Sequence, residues 1–373
     1  MDYGLNEIQI HFRDLAKNYA ETNVKPVFDE LDKARAYSRD LVNGAAKAGL
    51  YGAFVPENFG GKTHSPMCVA LVVEELAKVC GGTAMSFLAN LQGAIPILMG
   101  GSDSQKSNFI PKLNSGEAIF SLAVYEKEIN DLSLVKTNFE ADGDGFVLNG
   151  VKTLVIGEAD FYTVLATNSE GEKSFFVIAK DVDGVSFSEN IHMLGLNTAT
   201  TREMTLNNVK VSADSKLGGK DGKTMSEIIL MASRLFMSSI CVGVAEDAHH
   251  LAIGFIQTRN QFGNPVSEKQ AVQFMLADNM SKIESSRAMI YATARAIQNG
   301  KKGVTDSAMT KLLAGEACML TTTDAVQLFG GYGYMRDYPV EKHFRDAKTA
   351  QILYGTTQTL KDFIGKVESR KEI

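Results

Sequence analysis

Gln327-Leu-Phe-Gly-Gly-Tyr-Gly-Tyr334 continues through Tyr338-Pro-Val-Glu-Lys-His-Phe-Arg-Asp-Ala-Lys348 to Gln351-Ile-Leu-Tyr-Gly-Thr-Thr-Gln358. Helical text leads into clustered glycines, which lack a Cβ, tolerate positive φ and let backbone approach a ligand. A second helical segment carrying alternating charges follows. From the glycines alone, a plain helix–loop–helix corner is as good a reading as a ligand cradle, because a short motif needs its context. Order and spacing decide between them.

Upstream of this stretch the helical period persists back to Thr224. Met225 to Thr258, Ser267 to Asn299 and Thr305 to Leu328 read as long helices, interrupted at Gly263-Asn-Pro265 and Gly300-Lys-Lys-Gly303. Short connections between long helices predict an antiparallel bundle. From Ala118 to about residue 222 the period is 2 instead. Gly143 to Gly150 reads as a hairpin with Asp-Gly and Asn-Gly turns, and Phe161 to Ala166, Ser174 to Ile178 and Glu203 to Val211 read as strands rich in β-branched and aromatic residues. At the start, Ile8, Phe12, Leu15 and Tyr19 recur at three- and four-residue steps. Further helical patterns cover Arg39 to Ala48 and Met67 to Val79, separated by the Pro- and Gly-broken segment Gly49 to Gly61. The expectation is an α+β chain with an N-terminal helical domain over 1–117, a middle β-sheet domain over 118–222 and a C-terminal antiparallel helical bundle over 223–373.

At 373 residues, two or three domains are expected. A net charge of −6 and a pI near 5.6 argue against a nucleic-acid or anionic-membrane surface, which would need clustered Lys and Arg. Cys68, Cys80, Cys241 and Cys318 lie far apart in apolar surroundings and read as buried thiols, with no metal-like spacing. Neither a basic n-region nor an apolar h-region opens the chain. The conspicuous apolar run, Leu235 to Ala245, is shorter than the about 20 residues that span a bilayer. A cytoplasmic protein that does not engage membrane is expected.

The order and spacing of the opening stretch resemble the C-terminal signature of the acyl-CoA dehydrogenase family, and the resemblance spans nearly the whole chain. It implies FAD as cofactor. Gln327, Leu328, Gly330 and Gly331 stand where the family holds the ADP part, as do Arg259, Phe262 and Gln270 of Arg259-Asn-Gln-Phe-Gly-Asn-Pro265 and its later glutamine. Because those contacts come partly from a neighbouring subunit in the family, a homodimer or homotetramer is implied. On the flavin-ring side Leu122, Val124, Tyr125, Asn130 and Asp131 occupy the family's Thr-Glu-Pro loop, and Leu154, Val155 and Ile156 its Trp-Ile-Thr segment. Thr356, Thr357 and Gln358 complete the implied contacts. The loop has lost its proline and small residues, and Leu154 replaces the tryptophan.

The largest departure concerns the base. The family usually writes its catalytic glutamate before Gly-Thr, where this chain has Tyr354, or just before an arginine matching Arg234, where it has Ser233. A free phenol has a pKa near 10, so roughly one in a thousand is ionised at pH 7. Glu246 lies thirteen residues past Ser233, about 20 Å along a helix, too far to substitute. Tyr354, Tyr125 and Glu126 remain as catalytic candidates, while His249, His250 and His343 read as surface or interhelical histidines. The resemblance then implies oxidation of a thioester-bound acyl group, on CoA or an acyl carrier protein, with an electron-transfer flavoprotein or oxygen as acceptor. Without a carboxylate, the favoured substrate is a hydroxyl or aldehyde-hydrate carbon, as in the family variants that prepare polyketide and nonribosomal-peptide extender units. A conventional α,β-dehydrogenase with a displaced base and a non-catalytic partner subunit are the alternatives.

Overall fold

The computed structural model describes residues 2–127, 132 and 134–370. Six helices come first: α1 (Glu7–Tyr19), α2 (Phe28–Ala34), α3 (Arg39–Lys47), α4 (Pro66–Val79), α5 (Gly81–Gly100) and α6 (Asp103–Ser115). Asn6 starts α1 reciprocally, its side chain accepting from the Gln9 amide at 3.0 Å while the Gln9 side chain accepts from the Asn6 amide at 3.1 Å. In α5 every residue except Met99 is buried, so it shows no polar face to alternate with an apolar one. Gly93 lets α5 press onto the sheet, since a Cβ there would stand 2.5 Å from the Ser121 amide nitrogen.

The sheet contains β1 (Phe120–Ala123), β2 (Asn138–Asp142), β3 (Gly145–Ile156), β4 (Phe161–Thr167), β5 (Lys173–Ala179), β6 (Val185–Phe187), β7 (Thr201–Ser212) and β8 (Lys216–Leu217). Its order is β6-β7-β3-β2-β4-β5-β8, with β1 parallel to β4. Gly143 turns the β2–β3 hairpin, but Asn149-Gly150 does not form the second turn expected of it. It lies inside β3 at a register shift, with Gly150 at φ 153° and its α-carbon facing Thr137, so the pair marks a bulge.

The C-terminal part comprises α7 (Gly222–Thr258), a two-stranded β9 (Asn260–Gln261) and β10 (Asn264–Pro265), then α8 (Gln270–Gln298), α9 (Val304–Phe329), α10 (Val340–Ile352) and α11 (Thr357–Glu368). The apolar stretch of α7 extends well past Leu235–Ala245 and would be long enough to cross a bilayer, yet 72% of it is buried against the rest of the protein. It is a core helix. All four cysteines are buried and free.

The alternating charges of α10 fasten the sheet to the bundle. Asp346 Oδ1 accepts from the Leu196 amide at 2.6 Å while its Oδ2 pairs with Lys342 at 2.6 Å, and Thr349 Oγ1 accepts from the Gly195 amide at 3.0 Å. Arg345 reaches Asp32 at 2.9 Å, and Arg35 donates to the Met193 carbonyl at 2.7 Å. A second ionic cluster joins α4, α7 and α8. Glu74 accepts from Arg287 Nε at 2.8 Å and from the Tyr291 hydroxyl at 3.0 Å, and Arg287 Nη2 meets Glu246 at 2.6 Å. Asp247 is bound to His343 at 2.8 Å. Glu246 and Asp247 are thus interhelical partners.

Candidate active site

Two cavities fall on residues that the sequence singles out. The larger is a groove of about 540 Å³ between the end of α7 and the end of α9, lined by Arg259, Gln261, Lys269, Gln327, Leu328, Gly330 and Gly331 among others. Gly330 ends α9 at φ 60° and ψ −137°, a conformation open to glycine and closed to nearly every other residue, which exposes the backbone there. Phe255 and Phe329 stack at 4.3 Å beneath the groove, and Arg259 lies 5.9 Å over the Tyr332 ring. Neither Arg259 nor Lys269 has an acidic partner among the described residues. Two uncompensated cations beside exposed backbone suit a diphosphate, which an arginine fork can meet with paired hydrogen bonds. Lys269, which carries no motif signal, belongs with Arg259 here.

Not every expected nucleotide contact meets this groove. Phe262 stands 95% exposed at φ 56°, and Gln270 is exposed at the start of α8. Neither lines the groove, although Lys269, which does, lies 5.4 Å over the Phe262 ring. Asn130 and Asp131 lie outside the described residues.

The second cavity lies between sheet and bundle. Leu122, Val124, Tyr125, Leu154 and Ile156 line it from the sheet, Gln92 from α5, and Leu353 and Tyr354 from the segment after α10. Val155, between two lining residues, is turned into the core. Thr356 caps α11, its oxygen accepting from the Thr359 amide at 3.3 Å, with Thr357 and Gln358 on the first turn. Tyr354 sits at φ 61° and Leu154 at φ 53°, so two bulky residues lining one cavity both occupy the left-handed region. Such strain costs of order 1–3 kcal/mol per residue and gathers at functional sites.

Tyr354 is held at both ends. Arg234 Nε donates to its carbonyl at 3.2 Å, and Lys311, almost wholly buried, donates to the Gln351 carbonyl at 3.2 Å, so two cations meet the carbonyl end of α10. Its hydroxyl donates to Gln92 Oε1 at 2.7 Å, and Gln92 Nε2 donates in turn to Ser233 Oγ at 2.8 Å. The two positions from which the family draws its glutamate are therefore joined by one amide. Burial pushes the Tyr354 phenol far above its ordinary range, with the nearby Tyr125 adding to the rise. Tyr125, its ring 6.2 Å from that of Tyr354, is also raised by burial, against the pull of Arg234. Both phenols are neutral at physiological pH, and neither is a ready base.

Glu126 does not serve either. Its Oε1 accepts from Lys152 Nζ at 2.7 Å, Thr137 Oγ1 at 2.7 Å and the Thr137 amide at 2.9 Å, and its Oε2 accepts from the Lys136 amide at 2.8 Å. Although burial opposes it, the pull of Lys152 and these hydrogen bonds hold its carboxyl below the usual range. It does not line the cavity. The expectation of Glu126 as a displaced acid or base gives way to a structural role, that of fixing the loop that carries Tyr125.

FAD, expected from the resemblance, can be tested against these spaces. The groove suits the nucleotide end. At the ring end the cavity is about 20 Å³, room for one water and far less than a tricyclic ring. Of the two tyrosines lining the cavity Tyr125 is the less buried, and it is the one expected to turn aside to admit the ring. Tyr125→Thr is accordingly expected to tighten FAD binding roughly tenfold by removing the cost of reordering that side chain, with ADP binding unchanged. Calorimetric titration with each ligand checks this, and equal gains for both would refute it.

Comparison with known proteins fits this geometry. Models of the acyl-CoA dehydrogenase N-terminal, middle and C-terminal domains match residues 6–117, 127–209 and 220–368. The short-chain-specific acyl-CoA dehydrogenase of Megasphaera elsdenii is 33% identical over 372 residues, covering 96% of this chain and 97% of its own. Among solved structures, a chain from the study of the electron transferring flavoprotein of Acidaminococcus fermentans superposes with a TM-score of 0.95 at 34% identity, covering 100% of both chains. The prolyl acyl carrier protein oxidase AnaB does so at 0.92 and 27%, covering 98% of this chain and 100% of its own. With all three domain models in sequence and relatives matched end to end, the chain belongs to the acyl-CoA dehydrogenase family and is an FAD-dependent oxidoreductase.

Proposed function

We propose that this enzyme oxidises a hydroxyl or aldehyde-hydrate carbon of an acyl unit carried as a thioester on an acyl carrier protein, in the cytoplasm, in the preparation of polyketide or nonribosomal-peptide extender units. The observation that carries this reading is the neutral chain Tyr354–Gln92–Ser233 at the positions where a carboxylate is expected. Abstracting a proton from carbon needs a base of matched pKa within hydrogen-bond reach. Among the described residues, no carboxylate or imidazole lines this cavity. A carbinol asks less of the protein: its carbon gives up a hydride, its O–H proton passes to water, and a carbonyl is left. Bound FAD supplies the acceptor for the two electrons. Arg259, Lys269, Gln327 and the Gly330-Gly331 backbone would grip its diphosphate end, with Phe262 and Gln270 contributed from a second copy in a homodimer or homotetramer. Tyr354 would hold the substrate hydroxyl, and Arg234 would hold Tyr354. An electron-transfer flavoprotein or oxygen would reoxidise the cofactor, the former in keeping with the likeness to the Acidaminococcus structure.

A second reading, α,β-dehydrogenation of an acyl-CoA, is favoured by the Megasphaera relative. Anaerobic mixing of the holoenzyme with hydroxyacyl-carrier thioesters and, separately, with saturated acyl-CoAs separates the two. Loss of the visible flavin band is expected with the hydroxyacyl carriers. Bleaching by saturated acyl-CoA alone would establish the second reading.

A further inference from the structure

We propose that Gln92 is the specificity-determining residue of the acyl pocket, because it orients the Tyr354 hydroxyl so that the phenol oxygen faces the substrate as a fixed hydrogen-bond acceptor. The proposal rests on the reading of this cavity as an acyl-thioester site, and it adds which acyl groups are chosen and by what residue. Gln92 is 2% exposed on a helix buried all round, where an unpaired amide would cost about 1–3 kcal/mol. The other long polar group facing inward from that turn is spent on the fold: Asn90 donates to the Tyr51 hydroxyl at 3.0 Å and accepts from the Phe120 amide at 2.7 Å. Gln92 instead lines the cavity and, among the described residues, bonds to Tyr354 and Ser233.

Direction matters in that chain. A carboxamide oxygen can only accept, so the bond from Tyr354 to Gln92 Oε1 consumes the one hydrogen of the phenol. What remains at Tyr354 is a pair of lone pairs on a neutral oxygen. Such an oxygen rewards a ligand that brings an O–H or N–H and offers nothing to a methylene or a carbonyl. The amide keeps one further hydrogen on Nε2 beyond the one given to Ser233, so a hydroxyl can both donate to Tyr354 and accept from Gln92, whereas a carbonyl can only accept. The acyl unit selected is therefore one with a hydroxyl or amino group near the thioester, in preference to its saturated or keto analogue.

The test uses the holoenzyme and calorimetric titration with pantetheine thioesters, 3-hydroxybutyrate and butyrate on the dithionite-reduced form and acetoacetate and butyrate on the oxidised form, so that each redox state meets only ligands it does not turn over and butyrate links the two. The hydroxy ligand is expected to bind about tenfold more tightly than either analogue, the scale of one hydrogen bond. Gln92→Met, close in shape but unable to accept, frees the phenol hydrogen, so Tyr354 can donate to the keto ligand as well as accept from the hydroxy one, and the preference for hydroxy over keto should be lost. Gln92→Glu, which still accepts from the phenol, should keep it. Tyr354→Phe should abolish it too, and combining it with Gln92→Met should change nothing further. A preference for the hydroxy over the keto ligand that survives in Gln92→Met, or a wild-type preference for the keto ligand, overturns the proposal. If the wild type binds all three equally, Gln92 is not the selector and the acyl-thioester reading stands. If it binds none of them, both fall.

Discussion

Tyr354→Glu is expected to turn the enzyme into an α,β-dehydrogenase for saturated acyl thioesters, raising that activity by about 10²- to 10⁴-fold, the usual contribution of a placed general base. The substitution puts a carboxylate where the phenol now sits, within reach of the Gln92 amide and beside the Arg234 charge. It also shortens a side chain that lines a cavity of about 20 Å³, which enlarges that space. The backbone need not move, because Arg234 holds the carbonyl of this residue and Lys311 that of Gln351, whatever side chain projects between them. Desolvation would lift the new carboxyl toward neutrality while Arg234 keeps it ionisable, the range in which a general base works best. Stopped-flow bleaching by butyryl-CoA measures the gain. A folded, FAD-loaded Tyr354→Glu protein that reduces no faster than wild type would show that the residue at 354 is not what withholds this reaction.

Arg287→Ala is expected to cost about 3–5 kcal/mol of stability. Arg287 is buried, and it is the charge that offsets Glu74, which is 2% exposed, together with Glu246 and Glu284. Removing it leaves Glu74 in apolar surroundings with the Tyr291 hydroxyl and a distant Lys78 for company. Burial already raises the Glu74 carboxyl above its usual range, against the pull of Arg287 and Lys78. In the variant that rise grows. An acid whose folded pKa exceeds its unfolded value loses stability as pH climbs between the two, so the deficit is largest near neutrality and shrinks on acidification. Thermal unfolding should show a drop of roughly 5 °C at neutral pH, partly recovered at lower pH. A midpoint unchanged at neutral pH would mean that water or rearrangement compensates Glu74.

The sequence reading was strongest where segments had two unlike faces. α1 and α3 announce themselves through periodicity, and β4, β5 and β7 through composition. α5 did not, and the site's central amide lies on it. A helix buried on all sides alternates nothing, so neither the element nor Gln92 carries a signal above the apolar background. Asn149-Gly150 misled in the opposite way: the dipeptide favours positive φ, and a bulge uses that as readily as a turn does. The groove lined by Arg259, Gln327, Gly330 and Gly331 stood out because glycines and an arginine at fixed spacing are visible in the sequence itself. The ring end did not, since the part played by Glu126 depends on Lys136, Thr137 and Lys152, brought to it by the sheet.

Tyr354 occupies a left-handed backbone that penalises every side chain with a Cβ in much the same way. Tyrosine and glutamate therefore meet the same penalty at this position, and exchanging them leaves the mount unaltered. A lineage could trade one chemistry for another there by changing a single residue, without rebuilding the scaffold, and descendants bearing either group would be expected to share one architecture while acting on different metabolites.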